Sequence, residues 1–243
     1  MKVLFIGPTL PDAERIAPGL NIRPPAIQGD LYRAVRDGAG IIGLVDGGFE
    51  YTAPVWHKEI LYALSEGVTV FGAASMGALR AAECRTFGMI AIGAIAQAYA
   101  DGMLVDDADV AQLHAPAELG WASLTEPLVN IIATLQRSDL PASLTPDLRS
   151  RIEAAARHLH FKDRTWRAIL DHVSIPDEEL RIRLERELKS RACNRKREDA
   201  LLLVAAMTAH PDDRSREKPH WIFQETTLWR ELLDRENAKT LMF

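Results

Sequence analysis

VTVFGAASMGALRAAE (residues 68–83) is the stretch that decides the fold. Val68 to Ala73 is short, apolar and rich in β-branched residues, and reads as a buried strand. Ser75 onward carries Met, Ala, Leu and Arg at helical spacing and runs as a helix to Gly88, a stop signal. Ala73 and Ala74 between them are small enough for a sharp turn. The segment is a strand–turn–helix that presents Ser75 at the mouth of a helix.

The flanking sequence repeats the same grammar. KVLFI (2–6), ended by Gly7-Pro8, reads as a buried parallel strand. Prolines at 8, 11, 18, 24 and 25 exclude one long helix there. A short turn of helix fits 12–16 and another fits 30–36, stopped by Gly38. GIIGLVDGGF (40–49) is a second strand whose end delivers Asp46 into a glycine turn. APVWHKEILYALSEG (53–67) is an amphipathic helix ended by Gly67. The order β–α–β–α–β–α predicts a parallel sheet with helices on both faces, whose sites form at strand C-terminal ends. Those ends fall at Gly7-Pro8-Thr9, Asp46-Gly47-Gly48 and Ala74-Ser75, and they are expected to converge.

Beyond residue 90 the pattern changes. A helix is expected at 91–102, an acidic turn at 106–109, a strand at 110–115 and a helix at 126–138 with an early proline. Residues 145–209 read almost wholly as helix, and glycine is absent from 121 onward. The expected class is α/β: a parallel sheet with flanking helices in the N-terminal half (1–140), followed by an all-α C-terminal subdomain (141–243). A short loop and a last helix close the chain.

Composition narrows the function. The net charge of -5 argues against a dedicated nucleic-acid binder. No apolar run reaches the ~18 residues of a membrane helix, and MKVLFIGPTL is too short for a secretory h-region. Cys84 and Cys193 lie far apart without metal spacing and read as reduced thiols of a cytoplasmic protein. The histidines are scattered, GxGxxG and the P-loop lysine are absent, and neither a metal nor a cofactor is expected.

Several groups of residues carry chemistry. Ala73-Ala74-Ser75-Met76-Gly77 resembles a nucleophile elbow, with Ala73 where glycine is usual. The helix start offers free N–H groups for an oxyanion; the commoner role of such a serine is an N-cap. Trp56-His57-Lys58-Glu59 cannot all line one pocket, since successive helix residues diverge by roughly 100°. His57 or Lys58 is the candidate to face Ser75, against the alternative of a solvated first turn. Asp46 can orient a base, bind a cation or cap a turn. Arg80 pairs with Glu83 three residues on or reaches towards a substrate terminus. RACNRKR (191–197) reads as a solvated helical face, against the alternative of a surface that binds an acidic partner.

Together the segments VLFIGPTL (3–10), PPAIQGD (24–30), GIIGLVDGGFEYTAPVWHKEIL (40–61), VFGAASMGALRAAE (70–83), FGM (87–89), the acidic stretch 99–109 and LTEPLVNIIATL (124–135) resemble the TfuA-like family. Arg164-Thr165-Trp166 and Lys196-Arg197-Glu198-Asp199-Ala200 extend the likeness weakly into the helical half. Cys84 departs from it, standing where an aliphatic residue is expected.

The resemblance implies a partner of YcaO enzymes, the ATP-dependent catalysts of peptide backbone thioamidation. It implies hydrolysis of a thiocarboxylated ThiS-like sulfur carrier protein, with release of sulfide, and a part in holding the precursor peptide on the YcaO enzyme. The alternative is an adaptor without catalysis. On the hydrolase reading, Ser75 attacks or positions water, and the N–H groups of Met76 and Gly77 hold the oxyanion. Lys58 or His57 serves as base or cation, and Asp46 orients it. Gly7, Thr9, Gly47 and Arg80 complete the substrate-binding candidates.

Overall fold

The computed structural model describes residues 1–215, 217 and 219–240. In chain order the elements are β1 (Lys2–Phe5), α1 (Ala13–Ile16), β2 (Asn21–Arg23), α2 (Asp30–Arg36), β3 (Ile41–Leu44), α3 (His57–Ser65), β4 (Thr69–Ala73), α4 (Met76–Cys84), β5 (Ile90–Ile92), α5 (Gly93–Ala100), α6 (Leu128–Leu135), α7 (Pro146–His158), α8 (Trp166–Val173), α9 (Glu178–Ser190), α10 (Arg195–Ala209) and α11 (Thr227–Thr240).

The strands form one parallel sheet in the order β2-β1-β3-β4-β5. The three strands expected from sequence are its centre, and β2 and β5 are short additions at its edges. β5 takes residues 90–92, so the helix expected from 91 begins at Gly93. The strand expected at 110–115 does not form. Among the described residues that segment makes only a single isolated bridge, His114 to Ser123.

Strand order reverses between β1 and β3. At that reversal the crossovers leave in opposite directions and open a crevice beyond the strand ends. Gly7 and Thr9 follow β1 and Asp46 follows β3, so both border this crevice.

Alternation along the strands builds two apolar layers. Val3, Phe5, Ile42, Leu44 and Val70 pack with Leu31, Val35, Ile60 and Ala63 of α2 and α3. Leu4, Ile6, Ile41, Val45 and Phe71 pack on the other face with Ala13 of α1 and with Ala200, Leu203, Val204 and Met207 of α10. Each such fully buried aliphatic side chain contributes roughly 1.5–3 kcal/mol. A separate core joins Leu128 and Ile131 of α6 to Ile152 of α7, Trp166 and Ile169 of α8, and Leu184 and Leu188 of α9. Helix α11 lays Trp229 and Leu232 against Tyr32 of α2. The chain thus leaves the sheet at α6 and returns to it with α10, while α11 packs outside α2.

Candidate active site

Asp46 sits at the floor of the crevice, only 2% exposed. One carboxylate oxygen accepts from the N–H groups of Gly7 (2.9 Å) and Thr9 (3.0 Å); the other accepts from the Thr9 hydroxyl (2.6 Å). Charge-assisted bonds of this kind hold the β1 and β3 loops to each other. Thr9 is itself buried and acts through this bond.

The β4–α4 junction is built by close backbone approach. A Cβ at Gly77 would strike the Leu44 carbonyl oxygen, so glycine alone lets α4 start directly on β3. Ala74 takes φ +66°, and the Ser75 N–H reaches back to the Ala73 carbonyl at 2.9 Å. This is a tight three-residue turn on a residue with a Cβ, a conformation that costs on the order of 1–3 kcal/mol. The strain falls one residue before the serine.

Ser75 occupies the cap position of α4, yet its side chain makes no capping bond. Its hydroxyl is left to the cavity that Ser75 lines. The helix start offers fewer donors than sequence reading expects. The Gly77 N–H is taken by the Val45 carbonyl at 3.0 Å, and the Ala78 N–H by the Ser75 carbonyl. Among the described residues, only the Met76 N–H is left without an acceptor in this first turn.

The cavity encloses about 480 Å³, a volume suited to a small ligand or the end of an extended chain. Pro8, Asp46, Gly47, Ser75 and Met76 bring the ends of β1, β3 and β4 to its wall. Val110, Gln112, His114 and Trp121 close it from the loop between α5 and α6, and Phe161 from the loop after α7.

Lys196, carried in the first turn of α10 and 2% exposed, also lines the wall. Its Nζ donates to the Val110 carbonyl (2.9 Å) and lies 3.5 Å from Gln112 Oε1. Burial lowers its pKa, against the opposing pull of the Asp46 charge. The turn is fixed on all sides. The Lys196 N–H donates to Asn130 Oδ1 at 3.2 Å, Arg197 forms a two-pronged pair with Asp12 (2.7 and 2.9 Å), and Asp199 accepts from the Ile95 N–H at 2.8 Å. The expectation of a solvated face at 191–197 is therefore corrected at Lys196. Residues 196, 199, 200, 203, 204 and 207 form one buried stripe, the i, i+3, i+4, i+7 pattern of a helix packed on a sheet. That signal is present in the sequence; the basic run around it masks it.

The other site candidates are placed elsewhere. His57 binds Glu83 at 2.8 Å with its side chain 52% exposed, and Lys58 Nζ lies 4.5 Å over the Phe223 ring. Neither lines the cavity. The buried face of α3 is Glu59, Ile60 and Ala63, which turns residues 57 and 58 away from the sheet. Arg80 donates to Glu83 and to the Val55 carbonyl, outside the cavity. Gly7 borders a smaller neighbouring pocket and admits the close approach of Pro25. Asp46 has no member of the α3 turn to orient; the charge it faces is Lys196.

Residues 46–165 match the model of the TfuA-like protein family. The chain belongs to this family. No curated protein matches it. At the level of the family, a TfuA-like chain is tied to YcaO-associated thioamidation. The matched TfuA-like region holds Asp46, Ser75 and Gln112, while Thr9 and Lys196 approach the same crevice from outside it. Among the described residues of this TfuA-like chain, no helix is long and apolar enough to cross a membrane. No group of three or more His, Cys, Asp or Glu among them is placed to hold a metal ion.

Proposed function

We propose that this cavity hydrolyses the C-terminal thiocarboxylate of a ThiS-like sulfur carrier protein, in the cytoplasm, and releases sulfide for a YcaO-type enzyme acting on a precursor peptide. The observation that carries the reading is Ser75: a serine at a helix start, released from capping, on the wall of a cavity that also holds a buried lysine. A thiocarboxylate needs a nucleophile, a donor for the developing oxyanion and a path for the departing sulfur. Ser75 supplies the first and the Met76 N–H the second. A cavity of this size admits the extended tail of a carrier while its folded body stays outside.

The test is direct. Purified protein is mixed with thiocarboxylated carrier, and sulfide is measured. The expected result is turnover by the wild type and a loss of at least about 1000-fold in Ser75→Ala. No sulfide from the wild type, or full release by the variant, overturns the assignment.

One feature favours a binding role beside catalysis. On the segment that walls the cavity, Met103, Val105, Leu119 and Leu124 keep large apolar side chains in solvent. Exposed apolar groups so disposed suit a protein partner. Val105→Ser with Leu119→Ser is expected to weaken capture of the YcaO enzyme or its precursor peptide at least tenfold. Unchanged capture removes this surface from the reading.

A further inference from the structure

We propose that residues 49–52 are a lid on this cavity and that Lys162, in the loop between α7 and α8, is the positioning residue that latches it over a bound substrate tail; the identity of that tail rests on the hydrolase reading above. Phe49, Glu50, Tyr51 and Thr52 all line the cavity. The two ends of the segment are pinned. The Gly48 N–H donates to the Ala26 carbonyl at 2.8 Å, and the Gln28 N–H donates to the Ala53 carbonyl at 2.9 Å. Between these points, among the described residues, no main-chain hydrogen bond ties 49–52 to another segment. The bond that is made there is internal, from the Tyr51 N–H to the Phe49 carbonyl at 2.7 Å.

That bond closes a three-residue turn with Glu50 at φ +65°. A residue with a Cβ keeps this conformation only where its surroundings enforce it. The matching turn at Ala74 is enforced by burial, since Ala74 is fully enclosed. Glu50 and Tyr51 are exposed, and their turn is held by side chains of the helical half. Lys162 Nζ pairs with Glu50 Oε2 at 2.6 Å and donates to the Tyr51 hydroxyl at 3.1 Å. Beside it, Phe49 meets Phe161 edge to face at 5.7 Å.

The two sides of this latch differ in rigidity. Arg164 is 3% exposed and braces the loop that carries Lys162. Its guanidinium donates to the carbonyls of Ala156 (3.0 Å), Leu159 (3.1 Å) and Ala108 (3.1 Å). Lys162 therefore stands on a fixed post, and the segment it holds has pinned ends and a free middle. Each latch contact is worth little alone, because the pair is partly solvated. Together they offset the cost of the left-handed residue. Closed and open lids are thus close in free energy, which a cover that opens at every turnover requires.

Chymotrypsin reads the lid without any substrate, because it cuts after Phe49 and Tyr51 once the turn opens. Cleavage there is expected to be at least about tenfold faster in Lys162→Met than in the wild type, with Tm unchanged. Glu50→Gln breaks the pair from the other side and is expected to speed cleavage as well. Lys162→Arg keeps the charge and is expected to be cut at the wild-type rate. Glu50→Lys combined with Lys162→Glu is expected to return to slow cleavage from the fast rate of either single variant. Wild-type rates in Lys162→Met and Glu50→Gln, or fast cleavage in the charge-swapped protein, overturn the latch.

Sulfide release ties the lid to the reaction. In Lys162→Met, KM for thiocarboxylated carrier is expected to rise at least about fivefold with kcat held within about twofold, and Lys162→Arg is expected to restore KM. A merely structural role would lower Tm and kcat together. Fast cleavage of Lys162→Met in a protein that releases no sulfide keeps the lid and removes the thiocarboxylate. Sulfide release with KM unmoved in Lys162→Met keeps the function and removes the lid.

Discussion

Two helix starts in this protein carry almost the same chemistry in sequence and end in opposite environments. The first turn of α3 is Trp56-His57-Lys58-Glu59, and that of α10 is Asn194-Arg195-Lys196-Arg197-Glu198-Asp199. In α3 His57 binds Glu83, Lys58 lies over the Phe223 ring, and the acid Glu59 is buried. In α10 a cation and an acid, Lys196 and Asp199, are both buried, one against the cavity and one at the start of α5. The difference lies in rotational phase. Each helix presents one stripe to the sheet, and which charged residue falls on that stripe decides whether it is solvated or desolvated. Desolvation then sets its chemistry.

The comparison is broken most severely through the lysines. Lys196→Met is expected to abolish sulfide release by about two orders of magnitude or more, while Lys58→Met is expected to leave it within twofold. Equal effects of the two substitutions would show that burial does not distinguish them. A sulfide assay on the pair reads the result.

The next largest effect concerns Glu59. Burial raises its carboxyl to about 7, against bonds from the Gly29 N–H (2.9 Å) and the Trp56 N–H (3.2 Å) that favour the carboxylate. The folded protein therefore holds this proton more tightly than the unfolded chain, whose value is near 4.5. Stability from this group is present below about pH 4.5 and is lost as pH rises through 7. The loss is on the order of 3 kcal/mol. Urea unfolding at pH 5 and pH 8 is expected to show a fall that Glu59→Gln abolishes; equal slopes in the two proteins refute the burial argument.

Asp199 gives a smaller effect. Asp199→Ala strips the Ile95 N–H of its acceptor and leaves space beside Gly93, and is expected to cost about 1–3 kcal/mol. Asp199 is the acid counterpart of Glu59, and a thermal melt showing no change would mean that water replaces it. The smallest effect belongs to Lys58: loss of its contact with Phe223 is expected to cost about 0.5–1 kcal/mol, measured by urea unfolding of the Lys58→Met protein.

The legible parts of the fold were those governed by local pattern. The central strands, the helix after each and the positions of Asp46 and Ser75 at strand ends follow from apolar runs punctuated by glycine. The strand ends after β1, β3 and β4 do meet, because a parallel sheet places its C-terminal ends on one edge. The short edge strands β2 and β5 were not legible, since three residues carry too little pattern. The segment 110–115 misled in the other direction. It was expected as a strand, but it serves as cavity wall.

The site was half legible. Ser75 stood out because a serine between a buried strand and a helix has few local explanations. Its ordinary one, capping, is the role its side chain does not take. Lys196 was hidden by its neighbours, since a basic run normally marks a solvated face.

By itself the sequence determined the parallel sheet, its strand–turn–helix junctions and a serine at the mouth of α4, because these depend on residues within one or two turns of each other. Only the tertiary structure decided which basic side chain shares a cavity with that serine. Lys58 is the nearer in sequence and Lys196 lies past the whole of α6 to α9, yet α10 returns to the sheet and carries Lys196 into the crevice. The reason is long-range: apolar Leu203 and Met207 find their burial against β1 and β3, and the register of that packing fixes the lysine two turns before Leu203.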